Sequence, residues 1–134
     1  MNSEANSKSV RTILKPDQIF NKETREDIKI GDRIEVQPKS LILMNSFAEL
    51  ISKIGGGILN IDYGDDYAFS DSIRGISNHK FVEKIDELLE VPGQADISAY
   101  VNFLALAGVA QKVSGIRTHE TITQGQFLTN LGIQ

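Results

Sequence analysis

Apolar residues fall into short periodic runs separated by Gly-, Pro- and Asp-rich turns, and the period changes along the chain. Pro38 opens a run in which Leu43, Phe47, Leu50, Ile51 and Ile54 recur at helical spacing, with Gly55 placed as a left-handed stop. This predicts a helix with those five side chains turned inward. The next run, Gly57-Ile58-Leu59-Asn60-Ile61-Asp62-Tyr63-Gly64, is mostly apolar and reads as a strand buried on both faces, as in a parallel sheet. Helix followed by inner strand is half of an α/β unit. Within that strand Asn60 would need hydrogen-bond partners, since a buried amide left unpaired is costly.

The flanking segments read less regularly. Ile28-Lys29-Ile30 and Arg33-Ile34-Glu35-Val36 flank Gly31-Asp32, a spacing that suits a tight hairpin leaning on a larger sheet. From Asp65 to Asn78 the chain is polar and irregular, a length at which loops tend to be functional or mobile. Phe81 to Glu90 predicts a short helix with Phe81, Ile85, Leu88 and Leu89 inward, ended by Pro92-Gly93. Asp96 to Val101 predicts a short strand, after which Asn102 caps a helix carrying Phe103, Leu104, Leu106, Ala107 and Ala110. A last strand is predicted near Val113 to Arg117. Thr123 and Gln126, three apart, then make a capping box for a helix bearing Phe127, Leu128 and Leu131. There is no internal repeat and no low-complexity tract.

Composition narrows the class. The chain has 134 residues, enough for one domain of ordinary size, with 40% hydrophobic and 24% charged residues, a soluble globular balance. No stretch approaches the ~20 consecutive apolar residues of a membrane helix, which excludes a spanning segment. The absence of cysteine rules out disulfides, thiolate metal sites and Cys nucleophiles. The net charge of -4 is unevenly spread, because residues 1–36 carry seven basic and seven acidic side chains and the whole excess of acid falls in residues 37–134. A nucleic-acid partner is disfavoured, since the aromatics are few and scattered and no basic face is clustered around them.

The first fifteen residues are polar and almost free of large apolar groups, which predicts a flexible N-terminal arm, taken here as residues 1–22. Lys8, Arg11 and Lys15 against the single acid Glu4 give that arm a weak likeness to a mitochondrial presequence.

Few residues point to chemistry by spacing alone. Gly55-Gly56-Gly57 follows a helix and precedes a strand, the reverse of a nucleotide-binding loop, so it reads as a helix stop. No cofactor-binding loop is recognisable elsewhere. Asp62 closes an apolar strand, where ligands of open α/β sheets bind, yet it could equally cap the following turn. Asp65, Asp66 and Asp71 lack the spacing of a calcium loop and read as solvated. His79 and His119 have no second His or Cys at ligand spacing, so no metal site is predicted. No nucleophile elbow supports a Ser-His-Asp triad.

Several phrases, in order, carry a family likeness. Ile61-Asp62-Tyr63-Gly64, Asp71-Ser72-Ile73-Arg74-Gly75, His79-Lys80, Pro92-Gly93-Gln94-Ala95-Asp96-Ile97-Ser98-Ala99, Thr123-Gln124-Gly125-Gln126-Phe127-Leu128 and Leu131-Gly132-Ile133 resemble the MidA-type methyltransferases. This is the family of the mitochondrial complex I assembly methyltransferase. Glu23-Thr24-Arg25-Glu26 and Arg33-Ile34-Glu35-Val36-Gln37-Pro38 fit its preceding segment, so the resemblance covers residues 23–133 and assigns residues 23–134 to the C-terminal part of such a domain. Three departures stand out: Asn102 where an Asp is usual, Gln37 in place of a Ser before Pro38, and a few extra residues between Val82 and Val91.

The resemblance implies an α/β protein with a partial Rossmann-like class I methyltransferase fold, lacking the N-terminal cofactor-binding strands. It further implies an S-adenosylmethionine-dependent enzyme of the mitochondrial matrix that methylates an arginine of a respiratory complex I subunit. In the family the cofactor loop lies upstream of the matched region, so the chain is expected to be truncated, inactive alone and dependent on a missing N-terminal half. Asp62, Arg74, His79 and Asp96 are its candidates for the acceptor side of the site. An arginine acceptor needs a carboxylate, because its guanidinium is always protonated and poorly nucleophilic. Unpaired strand edges and uncovered apolar surface are expected from a partial sheet, with aggregation or oligomerisation as the consequence. The alternative is a non-catalytic interaction module that binds a complex I subunit.

Overall fold

A computed structural model describes residues 30–31, 33–82, 85–90 and 92–133. The proposed arm and Ile28, Lys29 and Asp32 of the expected hairpin lie outside these residues, as does the side chain of Ile85. The described residues of that hairpin, 30–31 and 33–36, form no strand. Residues 33–36 are held instead by the Glu35 N–H, which donates to the Phe69 carbonyl at 2.8 Å.

Helix α1 (Pro38–Ile54) begins with proline at its first positions and ends where Gly55 takes φ 78° and donates its N–H to the Ile51 carbonyl at 2.8 Å. Both ends are where the sequence put them. The buried face is not. Leu41, Met44 and Ala48 point into the core, while Leu43, Phe47, Leu50 and Ile54 are exposed, Ile54 by 74%. The reason lies in the helix that packs on α1. Helix α3 (Phe103–Ala110) presents Ala105, Val109 and Ala110, small or compact residues that close on the stripe of Leu41, Met44 and Ala48. Helix α1 is apolar on two faces, and within the described residues only one of them meets a partner.

The run expected as an inner strand is extended but largely unpaired. Residues 55–63 carry no regular structure and are exposed, Leu59 by 69%, and Asn60 is exposed with them. Only β1 (Gly64–Asp65) pairs, in parallel with β5 (Val101–Asn102), extended by the Val101 N–H donating to the Tyr63 carbonyl at 2.9 Å. A ladder needs a neighbour for every residue, and β5 supplies two. At Gly64 a Cβ would sit 2.1 Å from the Val101 carbonyl oxygen, so this close pairing requires glycine.

A second sheet has the order β3-β2-β4, all antiparallel, from β2 (Arg74–Ser77), β3 (Lys80–Val82) and β4 (Asp96–Ser98). Thus the irregular stretch ends at Ile73, and Phe81, expected to open a helix, lies in β3 and is exposed. Helix α2 is the shorter Ile85–Glu90, and of its apolar residues Leu88 is buried while Leu89 is exposed. Leu88 fits over Gly75, where a Cβ would meet its Cδ2 at 2.0 Å. The predicted strand over Asp96 to Val101 is divided between the two sheets.

The capping predictions hold. The Asn102 side chain accepts from the Ala105 N–H at 2.9 Å, and Thr123 and Gln126 form a reciprocal capping box on α4 (Gln124–Asn130). The predicted strand over Val113 to Arg117 is absent. Its backbone closes in tight turns, Val113 N–H to the Ala110 carbonyl and Ile116 N–H to the Val113 carbonyl, and Ser52 Oγ donates to the Ser114 carbonyl at 2.8 Å. Val113 and Ile116 pack against the Met44, Ala48 and Ala110 cluster, which satisfies this segment without a sheet. Among the described residues no helix is long and apolar enough to cross a membrane.

Candidate functional site

A polar network joins the segments that lead into β2 and β5, around residues that sequence spacing does not connect. Glu35 accepts from the Ser72 N–H at 2.7 Å, from the Ser72 hydroxyl, and from the Ile73 N–H at 3.3 Å. Ser72, only 5% exposed, in turn accepts the Tyr100 N–H at 2.9 Å. Gln37, which caps nothing on α1, donates its amide to the Tyr100 carbonyl at 2.8 Å. The residue before Pro38 has thus exchanged a helix cap for a tie to the segment entering β5. Tyr100 is gripped through its backbone on both sides, and the carboxylate of Glu35 joins residues more than thirty positions apart.

That fixed backbone sets an aromatic row. The rings of Tyr67 and Phe69 have centroids 4.5 Å apart at 43°, and Phe69 meets Tyr100 edge-on at 5.1 Å and 83°. Tyr67, Phe69 and Tyr100 line an open groove of about 320 Å³ together with Asp71, Ser72 and Arg74. The same aromatics looked scattered along the chain. Only the return of the chain through Tyr100 brings them together.

The sequence-predicted candidates divide between the sheets. Arg74 stands opposite Ser98 and Asp96 opposite Ile76, so the alternation of the strands puts Arg74 and Asp96 on one exposed face, away from Leu88. The Arg74 guanidinium donates to the Ile73 carbonyl at 2.9 Å and lies 3.6 Å from Asp71. His79 is at the tip of the β2–β3 hairpin, exposed, where Asn78 (φ 51°) and His79 (φ 60°) make the two-residue turn. Asp62 precedes β1 in the other sheet, and its carboxylate accepts the Tyr63 N–H at 2.7 Å. Further along, Asp66 accepts from the Thr121 hydroxyl at 2.7 Å, which ties the end of β1 to the segment before α4. Glu35 and the aromatic row escaped sequence reasoning. Glu35 lies inside the quoted phrase ahead of Pro38, but nothing in the sequence names its partner.

The sequence pattern of a family described as "Putative S-adenosyl-L-methionine-dependent methyltransferase" matches residues 2–122. The chain belongs to the MidA-type methyltransferase family. Among curated relatives, it is 32% identical over 128 residues to the human "Protein arginine methyltransferase NDUFAF7, mitochondrial", covering 95% of this chain and 27% of that protein. To the zebrafish (Danio rerio) protein of the same name it is 35% identical over 102 residues, covering 75% of this chain and 22% of that one. To the bovine (Bos taurus) protein it is 34% identical over 116 residues, covering 86% and 23%. The chain spans about a quarter of the length of these relatives. Their names are those of mitochondrial proteins, in line with the location that the resemblance implies.

The cofactor of the family is S-adenosylmethionine. Gly55–Gly57 follows α1 and opens into exposed chain. Where β5 runs directly into α3, the Asn102 side chain already takes the Ala105 N–H, and Phe103 and Leu104 occupy the first turn in place of glycines. What the described residues do offer is an exposed face and a groove carrying carboxylates, aromatics and a guanidinium.

Proposed function

We propose that the chain forms the acceptor side of an S-adenosylmethionine-dependent protein arginine methyltransferase that supports assembly of mitochondrial respiratory complex I, in the matrix. The donor side, with the N-terminal cofactor-binding strands, is built by polypeptide beyond the described residues. The chain alone is inactive. The reading is carried by the match to relatives named as protein arginine methyltransferases at 32–35% identity. The uncovered second face of α1 supports the division of labour: Leu43, Phe47, Leu50 and Ile54 stay in solvent, as do Ile58, Leu59 and Ile61 in the run that follows. A helix apolar on both faces is one that sits between two partners. Asp62, Arg74, His79 and Asp96 remain the acceptor-side candidates, with a complex I subunit as the protein substrate.

Methyl transfer requires the sulfonium in line with the acceptor nitrogen at near-attack distance. On the acceptor side the task of the protein is to hold and orient a guanidinium, for which a carboxylate is the natural partner. The test combines the purified chain with labelled S-adenosylmethionine and a candidate subunit, with and without a polypeptide carrying the donor-side strands of a relative. Label on a guanidino nitrogen is expected only in the second mixture. Incorporation by the chain alone sinks the division of labour, and none in either mixture favours the non-catalytic binding module. In a reconstituted enzyme, Asp62→Asn lowers methylation without loss of folding; unchanged turnover removes Asp62 from the acceptor side.

A further inference from the structure

The groove beside Arg74 contains the parts of a guanidinium seat, Tyr67, Asp71 and Tyr100, none of which is among the four acceptor-side candidates. We propose that the acceptor arginine docks against the row of Tyr67, Phe69 and Tyr100 with Asp71 as its counter-ion, and that Arg74 is an intramolecular stand-in which holds Asp71 until the substrate displaces it. The proposal rests on the arginine methyltransferase reading and adds to it a place for the side chain.

Four observations support it. The groove of about 320 Å³ is at the small end of the ~300–1,000 Å³ range of ligand pockets, a size suited to one long side chain and its flanking backbone. Its walls are aromatic, and ring faces carry the negative end of the quadrupole, which attracts a cation and repels an anion. Its carboxylate is held loosely, since Asp71 is 83% exposed and pairs with Arg74 at 3.6 Å, beyond a hydrogen bond. Finally, the geometry is held from behind: Ser72 and Gln37 fix the Tyr100 backbone, and Glu35 fixes Ser72. The guanidinium already in the groove is half exposed, at 46%, and is anchored mainly to the Ile73 carbonyl. A surface pair of this kind is worth little, so an incoming guanidinium can replace it at small cost. The planar, delocalised charge of arginine stacks on ring faces and accepts a carboxylate in bidentate fashion, whereas the strongly hydrated ammonium of lysine does neither as well.

The experiment follows chemical shifts of the full chain by NMR during titration with acetyl-Gly-Arg-Gly-amide, the citrulline analogue, which keeps the shape without the charge, and the lysine analogue. Shifts on arginine titration are expected at Tyr67, Asp71 and Tyr100, with arginine bound at least about tenfold more tightly than citrulline, the effect of one charge-assisted contact. Asp71→Asn erases that preference, Tyr67→Leu weakens arginine binding several-fold, and Arg74→Gln strengthens it, because the competitor is gone. All three positions are at least partly exposed, so the variants keep the fold. Equal binding of arginine and citrulline, equal binding of lysine, shifts elsewhere on the chain, or an Arg74→Gln variant that binds more weakly would each overturn the proposal. The titration itself needs no methyl transfer, and a methylation assay separates the two readings. A chain that binds arginine here but never supports methylation refutes the enzymatic reading alone, and one that supports methylation with Asp71→Asn leaving the acceptor KM unchanged refutes the groove alone.

Discussion

Removing the Glu35 carboxylate should loosen the segment before α1 from the stretch at Ser72 and Ile73 that leads into β2, leaving the Gln37 tie to Tyr100 in place. In Glu35→Ala three donors lose their acceptor: the Ser72 N–H, the Ser72 hydroxyl and the more distant Ile73 N–H. Hydrogen bonds to a charged group contribute about 1.5–3 kcal/mol each when the donors are withdrawn from water. Ser72 is buried, so its two donors count, whereas Glu35 itself is half-buried and water can enter the space its side chain leaves, which places each at the low end. The Ile73 contact at 3.3 Å adds little. The expected loss is about 2–3 kcal/mol, and Glu35→Gln, which keeps one acceptor oxygen, loses about half of that. Urea unfolding measures the global part. Amide hydrogen exchange measures the local part, with faster exchange expected at Ser72 and Tyr100 before anywhere in α3. A Glu35→Ala variant whose urea midpoint and Ser72 protection match the parent would refute the view that this carboxylate ties the two segments together.

Other perturbations test separate links. Gly64→Ala places a Cβ against the Val101 carbonyl oxygen, backbone that cannot rotate away, so it should open the β1–β5 pair at a cost of about 3 kcal/mol, the upper part of the overpacking range, seen as lost protection at Val101. Gly75→Ala meets only the end of the Leu88 side chain and should cost less by the same urea measurement, about 1–2 kcal/mol. Asn102→Ala removes the cap of α3 and should destabilise by about 1 kcal/mol, while Asn102→Asp should be nearly neutral in thermal unfolding. Phe47→Glu alters the exposed face of α1 and should leave unfolding within about 0.5 kcal/mol of the parent. It should reduce self-association in sedimentation and block assembly with a donor-side polypeptide, and an unchanged association state would show that this face has no partner.

Local signals were read well from the sequence where the chemistry is local. Pro38 and Gly55 bound α1 because proline fits the first turn and glycine alone enters the left-handed region without strain. Asn102 and the Thr123–Gln126 box cap their helices through bonds spanning three residues, which any sequence window contains. Where the outcome depended on a distant neighbour, the sequence was silent or misleading. Leu43, Phe47 and Leu50 make the bulkier apolar stripe of α1, yet α3 closes on Leu41, Met44 and Ala48. The run from Gly57 to Tyr63 has the composition of an inner strand, and apart from the Tyr63 carbonyl it stays unpaired because β5 is two residues long.

By itself, then, the amino-acid order determined helix ends, caps, the family and its α/β character, since these rest on dihedral preferences, side chains a few positions apart, and phrases preserved in sequence. The tertiary structure alone decided which face of α1 is buried, that Glu35 holds Ser72 and through it Tyr100, and that three separated aromatics line one groove with Asp71 and Arg74. Packing and long-range hydrogen bonding are properties of surfaces that meet only after the chain has folded back, and no periodicity along the chain records which surfaces those are.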